Sequence, residues 1–261
     1  MQRLEHGLYH LFLKRSYTAM MSNRSKLSEM RALVSGASKG LGRQLTFRLA
    51  DKGADLVLLA RDRERLEEVA RKVRARGVGC ESIACDLSRT DAIAQACSQV
   101  NAGGGVDILI NNAGLGYYKP FLEHSPKEHD AIIDVNFRGL IHLTQRLLPL
   151  MIERGSGHIL NIASDVAATP IASMAVYAAS KFAVRGFTLS LAREVKARGV
   201  KVSLINPGII DTGFNEAEEG SKEASWALQP GELADLIVTV LEQPGYQMID
   251  ELTVHPQLQD Y

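Results

Sequence analysis

The sequence predicts an α/β protein built on a single Rossmann-like, doubly wound parallel sheet of about seven strands, with helices on both faces. Three observations predict this fold. Short runs rich in Val, Ile and Leu recur along the 261 residues, amphipathic stretches separate them, and glycines or polar residues follow most of the runs. Runs of this kind are typical of strands buried on both faces, and their alternation with helices indicates a parallel sheet.

The apolar runs place six strands at 32–35, 56–60, 82–85, 108–111, 158–162 and 201–206, and a further strand within 248–254. Amphipathic periodicity predicts helices at 40–52, 62–76, 89–101, 126–153, 174–198 and 231–242. No linker, repeat or low-complexity segment interrupts this alternation. Residues 30–261 are therefore predicted to form one domain.

Residues 1–29 are predicted to be an N-terminal extension outside the core domain. Their apolar run at 7–13 is too short to span a bilayer, and no small-residue cleavage site follows it, so neither a membrane anchor nor a signal peptide is expected. His6 and His10 have helical spacing that suits either a metal site or two surface histidines. Later methionines at 20, 21 and 30 leave a downstream natural start open.

Composition argues against several classes of partner. Thirty basic and thirty acidic residues give a formal net charge of zero, so neither nucleic acid nor a membrane surface is expected as a partner. Cys80, Cys85 and Cys97 lack metal-site spacing and are expected to be free thiols in the reducing cytoplasm. No metal is predicted.

Unusual residues follow nearly every predicted strand. They are the loop 35–42, Arg61, Asp86, the segment 111–114, Ser164 and the pair Pro207-Gly208. Each could be ordinary turn chemistry. Because the carboxyl ends of parallel strands share one edge of a sheet, where such sheets bind ligands, their joint placement predicts a ligand site there.

The loop after the first strand suits a phosphate group. Gly36, Gly40 and Gly42 have the spacing G-x-x-x-G-x-G, and a helix begins near Leu41. Glycines let the backbone turn tightly and approach a ligand, and the N–H groups of the helix N-terminus attract anions. A plain glycine-rich turn fits the spacing equally well.

The second strand indicates which dinucleotide such a loop would bind. Arg61 follows the strand directly, and Lys39 in the glycine loop would face the same ribose. A carboxylate at the strand tip favours NAD, whereas a cation favours the 2′-phosphate of NADP. Asp62 is the competing carboxylate, but it is expected to belong to the start of the next helix. The pattern favours NADP(H).

Tyr177 and Lys181 are four residues apart in a predicted helix. Four residues advance about 6 Å and return to nearly the same face, so the two groups could meet in one cleft. An ammonium there would lower the pKa of the phenol by roughly 2 units and make it a proton donor and acceptor. Two neighbours on a helix surface would show the same spacing.

Taken together, these motifs resemble the short-chain dehydrogenase/reductase family from Arg31 to about Pro256. The loop 35–42, the segment 111–114, Ser164 thirteen residues before Tyr177, and Pro207-Gly208 follow the family's order and spacing. Three features depart from the commoner pattern. Ser35 replaces a threonine, Asp165 follows Ser164, and the tail 249–256 differs from that of 3-oxoacyl-carrier-protein reductases.

The resemblance implies an NADP-dependent oxidoreductase that transfers a hydride between NADP(H) and a carbonyl or secondary alcohol. It implies Asn136, Ser164, Tyr177 and Lys181 as the catalytic residues. The implied cofactor-binding residues are Gly36, Ser38, Lys39, Gly40, Leu41, Gly42, Arg61, Asp86, Leu87, Asn112, Ala113, Gly114, Tyr177, Lys181, Pro207, Gly208, Ile210 and Thr212. It also implies a homodimer or homotetramer that pairs the helices at 126–153 and 174–198.

Other interpretations stay open at this point. Ser164 could cap a helix, and Asn136 could satisfy a backbone group in a bent helix. The stretch 212–229, with Phe214 and Trp226, could be a lid over the substrate or a disordered loop. The chain could also be a non-catalytic NADP(H)-binding redox sensor or regulatory module. Small 3-hydroxy acids, 3-oxoacyl thioesters and aromatic ketones all fit as substrates.

Overall fold

The computed structural model describes residues 25–214 and 220–259. Seven strands form one sheet: β1 Arg31–Ser35, β2 Asp55–Ala60, β3 Cys80–Ala84, β4 Ile108–Asn111, β5 Gly157–Ile162, β6 Val200–Pro207 and β7 Glu251–Val254. The helices are α1 Gly40–Asp51, α2 Arg63–Arg74, α3 Thr90–Ala102, α4 Pro126–Ile133, α5 Gly139–Arg154, α6 Ala175–Val195 and α7 Pro230–Leu241. His6 and His10 lie outside the described residues.

The strand order is β3-β2-β1-β4-β5-β6-β7, and every neighbouring pair is parallel. This confirms the predicted doubly wound sheet. The order reverses between β1 and β4, so the chain leaves these two strands in opposite directions and a crevice opens between their carboxyl ends.

Two strands begin two or three residues from their predicted starts, whereas the other strand bounds agree to within one residue. Strand β3 begins at Cys80 rather than at 82, because its pairing with β2 already starts at Leu56 and Cys80. Strand β7 begins at Glu251 rather than at 248, since its pairing with β6 starts only at Leu204 and Glu251. In both cases the partner strand, and not the apolar run itself, determines where the strand begins.

The helix predicted at 126–153 is interrupted. Ser125 starts α4 with a capping box, in which its hydroxyl accepts from the Glu128 amide while the Glu128 carboxylate accepts from the Ser125 amide. A π-helical turn, Asp134–Arg138, then separates α4 from α5. Such turns interrupt the regular hydrogen-bond ladder and are frequent at functional sites.

A core lies on each face of the sheet, because successive strand residues point to opposite sides. Val34 belongs to one core, which α1, α2 and α7 cover, and Leu33 belongs to the other, which α3, α5 and α6 cover. Burial on both faces explains why the strands appear in the sequence as continuous apolar runs.

The described part of the N-terminal segment contacts this domain. Leu27 is buried in the core, the Ser25 hydroxyl donates to Glu242 Oε1 at 2.7 Å, and Lys26 Nζ donates to the Glu242 carbonyl at 2.9 Å. The division of the chain at residue 30 stays a prediction.

Cys85 and Cys97 are buried and Cys80 is half-buried, and all three are free thiols. Within 25–214 and 220–259, no helix has the length and apolar character needed to cross a membrane.

Candidate active site

The crevice between β1 and β4 is closed at its base by hydrogen bonds between the two strand ends. The Ser35 hydroxyl accepts from the amides of Asn112 at 3.0 Å and Ala113 at 3.1 Å. The Asn112 side-chain amide donates to the Ser35 carbonyl at 2.9 Å. A hydroxyl at position 35 is what this junction uses, and serine supplies it. The Asn112 amide group holds the loop in place.

The glycine loop leaves no room for side chains. Gly36 and Gly40 have φ angles of 68° and 53°, a region that L side chains rarely adopt. A Cβ atom on Gly36 would lie 2.9 Å from Ala113 Cα, and one on Gly42 would lie 2.3 Å from the Gly36 carbonyl oxygen. Backbone therefore packs against backbone around the start of α1.

Helix α1 begins at this loop with its N-terminal charge uncompensated. Its N-cap residue Lys39 makes no side-chain cap, and its first turn contains no acidic residue. The Leu41 side chain is buried in the core, so only its backbone can meet a ligand. The free N–H groups and the positive end of the helix dipole form a site suited to a phosphate.

The segment after β6 crosses over this loop. A Cβ atom on Gly40 would lie 3.1 Å from Thr212 Cγ2, and Lys39 Nζ donates to the Gly213 carbonyl at 3.2 Å. Ile210 pairs with Leu228 in an isolated parallel bridge. The structure thus brings Ile210 and Thr212 to the edge that carries the glycine loop.

Beside the glycine loop lies a cavity of about 340 Å³ with a cationic lining. It is lined by Ser38, Lys39, Arg43, Arg65, Glu68, Val69, Lys72 and Gly213. Arg61 is exposed just beyond the end of β2 and lies outside this lining. The sequence reasoning missed Arg43, Arg65 and Lys72. Arg43 directly follows the glycine loop and Arg65 lies four residues after Arg61, which was the available signal for these two.

The Asp62 carboxylate is already bound by groups at the start of α2. Its carboxylate accepts from the Arg65 amide at 3.0 Å as the N-cap of the helix, and it lies 3.2 Å from the Arg65 guanidinium. This is the role expected of it, and it directs the carboxylate toward the helix.

Asp86 and Leu87 lie at the end of β3. Asp86 Oδ1 accepts from the Ser88 amide at 3.0 Å and from the Ser88 hydroxyl at 2.8 Å. Leu87 is buried against Gly139, where a Cβ atom would lie 2.6 Å from the Leu87 carbonyl oxygen. The Asp86 carboxylate therefore shapes the turn on the same edge of the sheet.

Tyr177 and Lys181 point into one cleft from successive turns of α6. Lys181 Nζ lies 5.6 Å from the centroid of the Tyr177 ring and donates to the Ile162 carbonyl at 3.1 Å. Both side chains are buried, with 7% and 4% of their surface exposed. A Cβ atom on Gly114 would lie 3.6 Å from Lys181 Nζ, which places the pair beside the β1–β4 crevice.

Burial acts on both groups. It raises the pKa of Tyr177 to about 12, although the hydroxyls of Ser164 and Tyr118 act in the opposite direction, and it lowers the pKa of Lys181 to about 8. The expectation that Lys181 brings the phenol pKa below its ordinary value is therefore wrong for this structure. Removal from water disfavours the phenolate and the ammonium alike.

Ser164 follows β5 and faces Tyr177. Its hydroxyl donates to Asp165 Oδ1 at 2.9 Å and accepts from the Val166 amide at 3.4 Å as the N-cap of a short 3₁₀ turn, Asp165–Ala167. The same hydroxyl lowers the pKa of the Tyr177 phenol. The serine thus has the capping role left open by the sequence and also lies beside the tyrosine.

Asn136 lies in the π-helical turn and is buried. Its side chain accepts from the Leu115 amide at 2.8 Å and donates to the Leu115 carbonyl at 2.8 Å and to the Ser180 hydroxyl at 3.1 Å. From an irregular helix it therefore satisfies the backbone groups of Leu115, which lies in the loop after β4, whereas the alternative interpretation expected a backbone group of the helix itself. A Cβ atom on Gly114 would lie 3.4 Å from Asn136 Oδ1, so the asparagine also borders the groups around Lys181.

Tyr118 is a site residue that the sequence reasoning missed. Its hydroxyl lowers the pKa of the Tyr177 phenol, while 38% of Tyr118 itself is exposed. Tyr118, Tyr177 and Phe214 form a cluster of three rings with centroids 5.5 to 6.2 Å apart. Gly116 lies among them, where a Cβ atom would lie about 3 Å from each ring. The position of Tyr118 just after the segment 111–114 was the only signal in the sequence that it belongs to the site.

Pro207 ends β6, and Gly208 makes room for the C-terminal tail. A Cβ atom on Gly208 would lie 2.2 Å from Gln259 Oε1. The Gln259 side chain accepts from the Ile209 amide at 2.8 Å and donates to Asp165 Oδ2 at 2.5 Å. Gly208 therefore has a structural reason to lack a side chain.

Comparison with known proteins agrees with this geometry. Residues 30–223 match the family described as short chain dehydrogenase. An uncharacterized oxidoreductase of Staphylococcus epidermidis is 33% identical over 232 residues, which cover 89% of this chain and 99% of that protein.

Two solved structures are similar over nearly the whole domain. A metagenomic short-chain oxidoreductase in complex with NADP is 38% identical with a TM-score of 0.79, covering 90% of this chain and 100% of that chain. An alcohol dehydrogenase from the archaeon Thermococcus sibiricus, complexed with 5-hydroxy-NADP, is 29% identical with a TM-score of 0.85. The match covers 90% of this chain and 99% of that chain.

Proposed function

This chain belongs to the short-chain dehydrogenase family of oxidoreductases, and we propose that it interconverts a carbonyl compound and a secondary alcohol with NADP(H) as cofactor. The observation that carries the proposal is the convergence of Ser164, Tyr177 and Lys181 beside the backbone of Gly114. A proton donor, a second hydroxyl and a cation then adjoin the crevice in which such sheets bind dinucleotides.

The residues of the crevice fit a dinucleotide with a 2′-phosphate. Gly36, Gly40 and Gly42 form a cradle that a Cβ atom would fill, and the N-terminus of α1 would hold the pyrophosphate. The cationic cavity beside it would hold the 2′-phosphate, for which guanidinium groups are well suited. The relatives crystallised with NADP and 5-hydroxy-NADP support this assignment.

When bound, the cofactor supplies the hydride, which adds to the substrate's carbonyl carbon as the C=O π bond breaks. Tyr177 gives its phenolic proton to the oxygen that carries the developing negative charge, so that the product is an alcohol. Ser164 donates a hydrogen bond to the same oxygen and stabilises that charge. In alcohol oxidation the proton moves from the substrate oxygen to Tyr177.

The pKa of Tyr177, about 12, keeps the phenol protonated at neutral pH. A protonated phenol can donate at once, whereas oxidation needs the phenolate, so this environment favours carbonyl reduction near pH 7. Lys181 has a pKa of about 8, which leaves most of it protonated at that pH. Its cation stabilises the tyrosinate that forms when Tyr177 gives up its proton.

The decisive experiment replaces the phenol. Tyr177→Phe is expected to lose turnover by about 10²–10⁴-fold, the contribution of a positioned general acid, while its affinity for NADPH stays nearly unchanged. The matched control is Tyr117→Phe, which removes a hydroxyl from the loop after β4 and is expected to keep turnover. Normal turnover in Tyr177→Phe would reject the proton-transfer role.

A panel of ketones, 3-oxoacyl thioesters and small 3-oxo acids, followed by NADPH absorbance, tests the reaction class. Oxidation of NADPH with at least one of them is the expected result. Tight NADPH binding without turnover on the whole panel would instead favour a redox sensor or regulatory module.

We also place the protein in the cytoplasm as a homodimer or homotetramer. The three free thiols fit a reducing compartment. On α6 the Phe182 side chain is 42% exposed, which fits a helix that pairs with another copy. Sedimentation of the purified protein is expected to show more than one chain per particle.

A further inference from the structure

The side chain of Gln259, near the end of the chain, lies against the loop that carries Ser164. Its amide nitrogen donates to Asp165 Oδ2 at 2.5 Å, and its carbonyl oxygen accepts from the Ile209 amide at 2.8 Å. Both polar atoms of this side chain are therefore used, and Gly208 lacks a Cβ atom at the point of closest approach. The tail is docked by a specific contact.

The other carboxylate oxygen of Asp165 is hydrogen-bonded to Ser164. Asp165 Oδ1 accepts from the Ser164 hydroxyl at 2.9 Å and from the Val166 amide at 2.8 Å. The carboxylate is buried, with 6% of the residue exposed, so water does not screen it strongly. Asp165 consequently joins the tail to the serine through its two oxygens.

Ser164 has only one hydroxyl hydrogen, and two acceptors lie within its reach. One is the Asp165 carboxylate and the other is the Tyr177 phenol. In the proposed reaction that hydrogen must be available to the substrate oxygen beside Tyr177. A carboxylate that accepted no other hydrogen bonds would hold it most strongly.

We infer that Asp165 and Gln259 are positioning residues that determine how the Ser164 hydrogen is shared between the carboxylate and the reacting oxygens. Gln259 donates to Asp165 Oδ2, which withdraws electron density from the carboxylate and weakens its hold on Ser164. The C-terminal tail thereby becomes part of the active site. This inference rests on the proposed function for its effect on turnover.

Ser164, Tyr118 and Asp165 each affect the titration of Tyr177, and two further titratable groups lie nearby. Lys181 lies on the same helix, Asp165 on the turn after β5, and Tyr118 on the loop after β4. His255 lies on the tail beside Gly208, where an added Cβ atom would lie 2.8 Å from the His255 Cβ atom. Of these, Asp165 is the only carboxylate, so removing its charge favours the Tyr177 phenolate.

The first arm of the test is a double-mutant cycle on turnover. Gln259→Leu is expected to lower kcat about tenfold, the effect of one hydrogen bond to a charged group, with little change in the KM for NADPH. In an Asp165→Asn background the same replacement is expected to cost less than about twofold, since its acceptor is already changed. Equal losses in both backgrounds would show that Gln259 acts only by docking the tail, and would overturn the inference.

Gln257→Leu is the matched control, because Gln257 is an exposed glutamine of the same tail. It is expected to keep wild-type kcat. A tenfold loss there as well would assign the effect to the tail as a whole and reject a specific role for Gln259.

The second arm measures the pH dependence of alcohol oxidation, which the loss of a merely structural contact would not change. Asp165→Asn is expected to shift the alkaline rise of alcohol oxidation to lower pH by about 0.5–1 unit, and Gln259→Leu to shift it upward. Shifts in the same direction, or no shifts, would contradict the inference.

A third readout needs neither substrate nor nucleotide. Ultraviolet difference titration of each variant against its Tyr177→Phe counterpart reports the ionisation of Tyr177 directly, and the same two opposite shifts are expected. If the wild type turned over no substrate but these shifts appeared, the proposed function would fail while the inference stood. Turnover without these shifts would support the proposed function and contradict the inference.

Discussion

The ring of Tyr118 meets the ring of Tyr177 edge-on, with 5.5 Å between the centroids and an interplanar angle of 67°. The Tyr118 hydroxyl lowers the pKa of Tyr177 against the larger effect of burial. Tyr118 comes from the loop after β4, whereas Tyr177 comes from α6. A contact between two separate elements therefore tunes the acidity of the proposed proton donor.

Replacing Tyr118 with Phe keeps the ring but removes this hydroxyl. The pKa of Tyr177 is then expected to rise, because its phenolate loses a donor. Alcohol oxidation needs the phenolate, so its rise with pH is expected to move upward by about 0.5–1 unit. The pH profile of kcat for oxidation measures this, with Tyr117→Phe as the control. A profile identical to that of the wild type would show that the Tyr118 hydroxyl has no influence on Tyr177.

The cationic cavity predicts which side chains distinguish the two dinucleotides. Lys39→Ala and Arg65→Ala are each expected to raise the Kd for NADPH about tenfold, the loss of one charge-assisted contact to phosphate. The Kd for NADH is expected to change by less than about twofold. Titration calorimetry with both nucleotides measures the difference.

Two further variants complete that comparison. Arg61→Ala tests the cation that the sequence selected, and a selective loss of NADPH affinity is expected there too if Arg61 reaches the 2′-phosphate. Arg63→Ala is the matched control, since Arg63 is exposed, lies between Arg61 and Arg65 in the sequence, and is outside the cavity lining. Equal losses of NADPH and NADH affinity in Lys39→Ala and Arg65→Ala would contradict a phosphate site in this cavity.

Buried Lys181 is expected to lower the stability of the fold. Its pKa falls from 10.5 to about 8 in the folded protein, because burial disfavours the ammonium. Between these values the unfolded chain binds more protons than the folded one, so stability should rise as pH increases from about 8 to 10.5. Lys181→Met should lack this rise and should be more stable at pH 7 by about 1–3 kcal/mol.

Urea unfolding at pH 7, 8 and 9.5 measures both effects. Lys196→Met, at an exposed lysine just after α6, is the control and should follow the wild type. The Lys181→Met protein should also lose turnover. A variant less stable than the wild type at every pH would show that the hydrogen bond to Ile162 outweighs the burial of the charge.

His158 predicts an acid limit to stability. It is buried in β5, its Nε2 atom lies 2.8 Å from the Ser203 hydroxyl, and burial lowers its pKa from 6.5 to about 3. Between these values only the unfolded chain takes up the proton, so stability is lost as pH falls from about 6.5 toward 3. His158→Gln should unfold with a shallower dependence on pH in this window. An unchanged slope would assign the acid sensitivity to other groups.

The sequence could predict the sheet because the relevant signals are local. Apolar residues such as those of β1 and β2 follow each other without alternation, which is the pattern of strands buried on both faces. It could not predict the start of β3 or β7, because the pairing partner decides each boundary. The π-helical turn at Asp134–Arg138 was anticipated only by the alternative in which Asn136 lies in a bent helix.

The candidate site shows the same division. Spacing alone placed Tyr177 and Lys181 on one face of a helix, and strand ends placed Ser164 and the glycine loop on one edge. Arg43, Arg65 and Tyr118 were missed, since each reaches the site from a different element. The lowered phenol pKa was wrong, because the degree of burial cannot be read from a four-residue spacing.

By itself, the sequence determined the succession of strands and helices along the chain and the residue types at the strand ends. Both follow from periodicity and from the backbone conformations that turns require. Only the tertiary structure decided which side chains meet: Gln259 with Asp165, 94 residues apart, and Tyr118 with Tyr177. It also decided the pKa values, because desolvation depends on everything packed around a group and not on its neighbours in the chain.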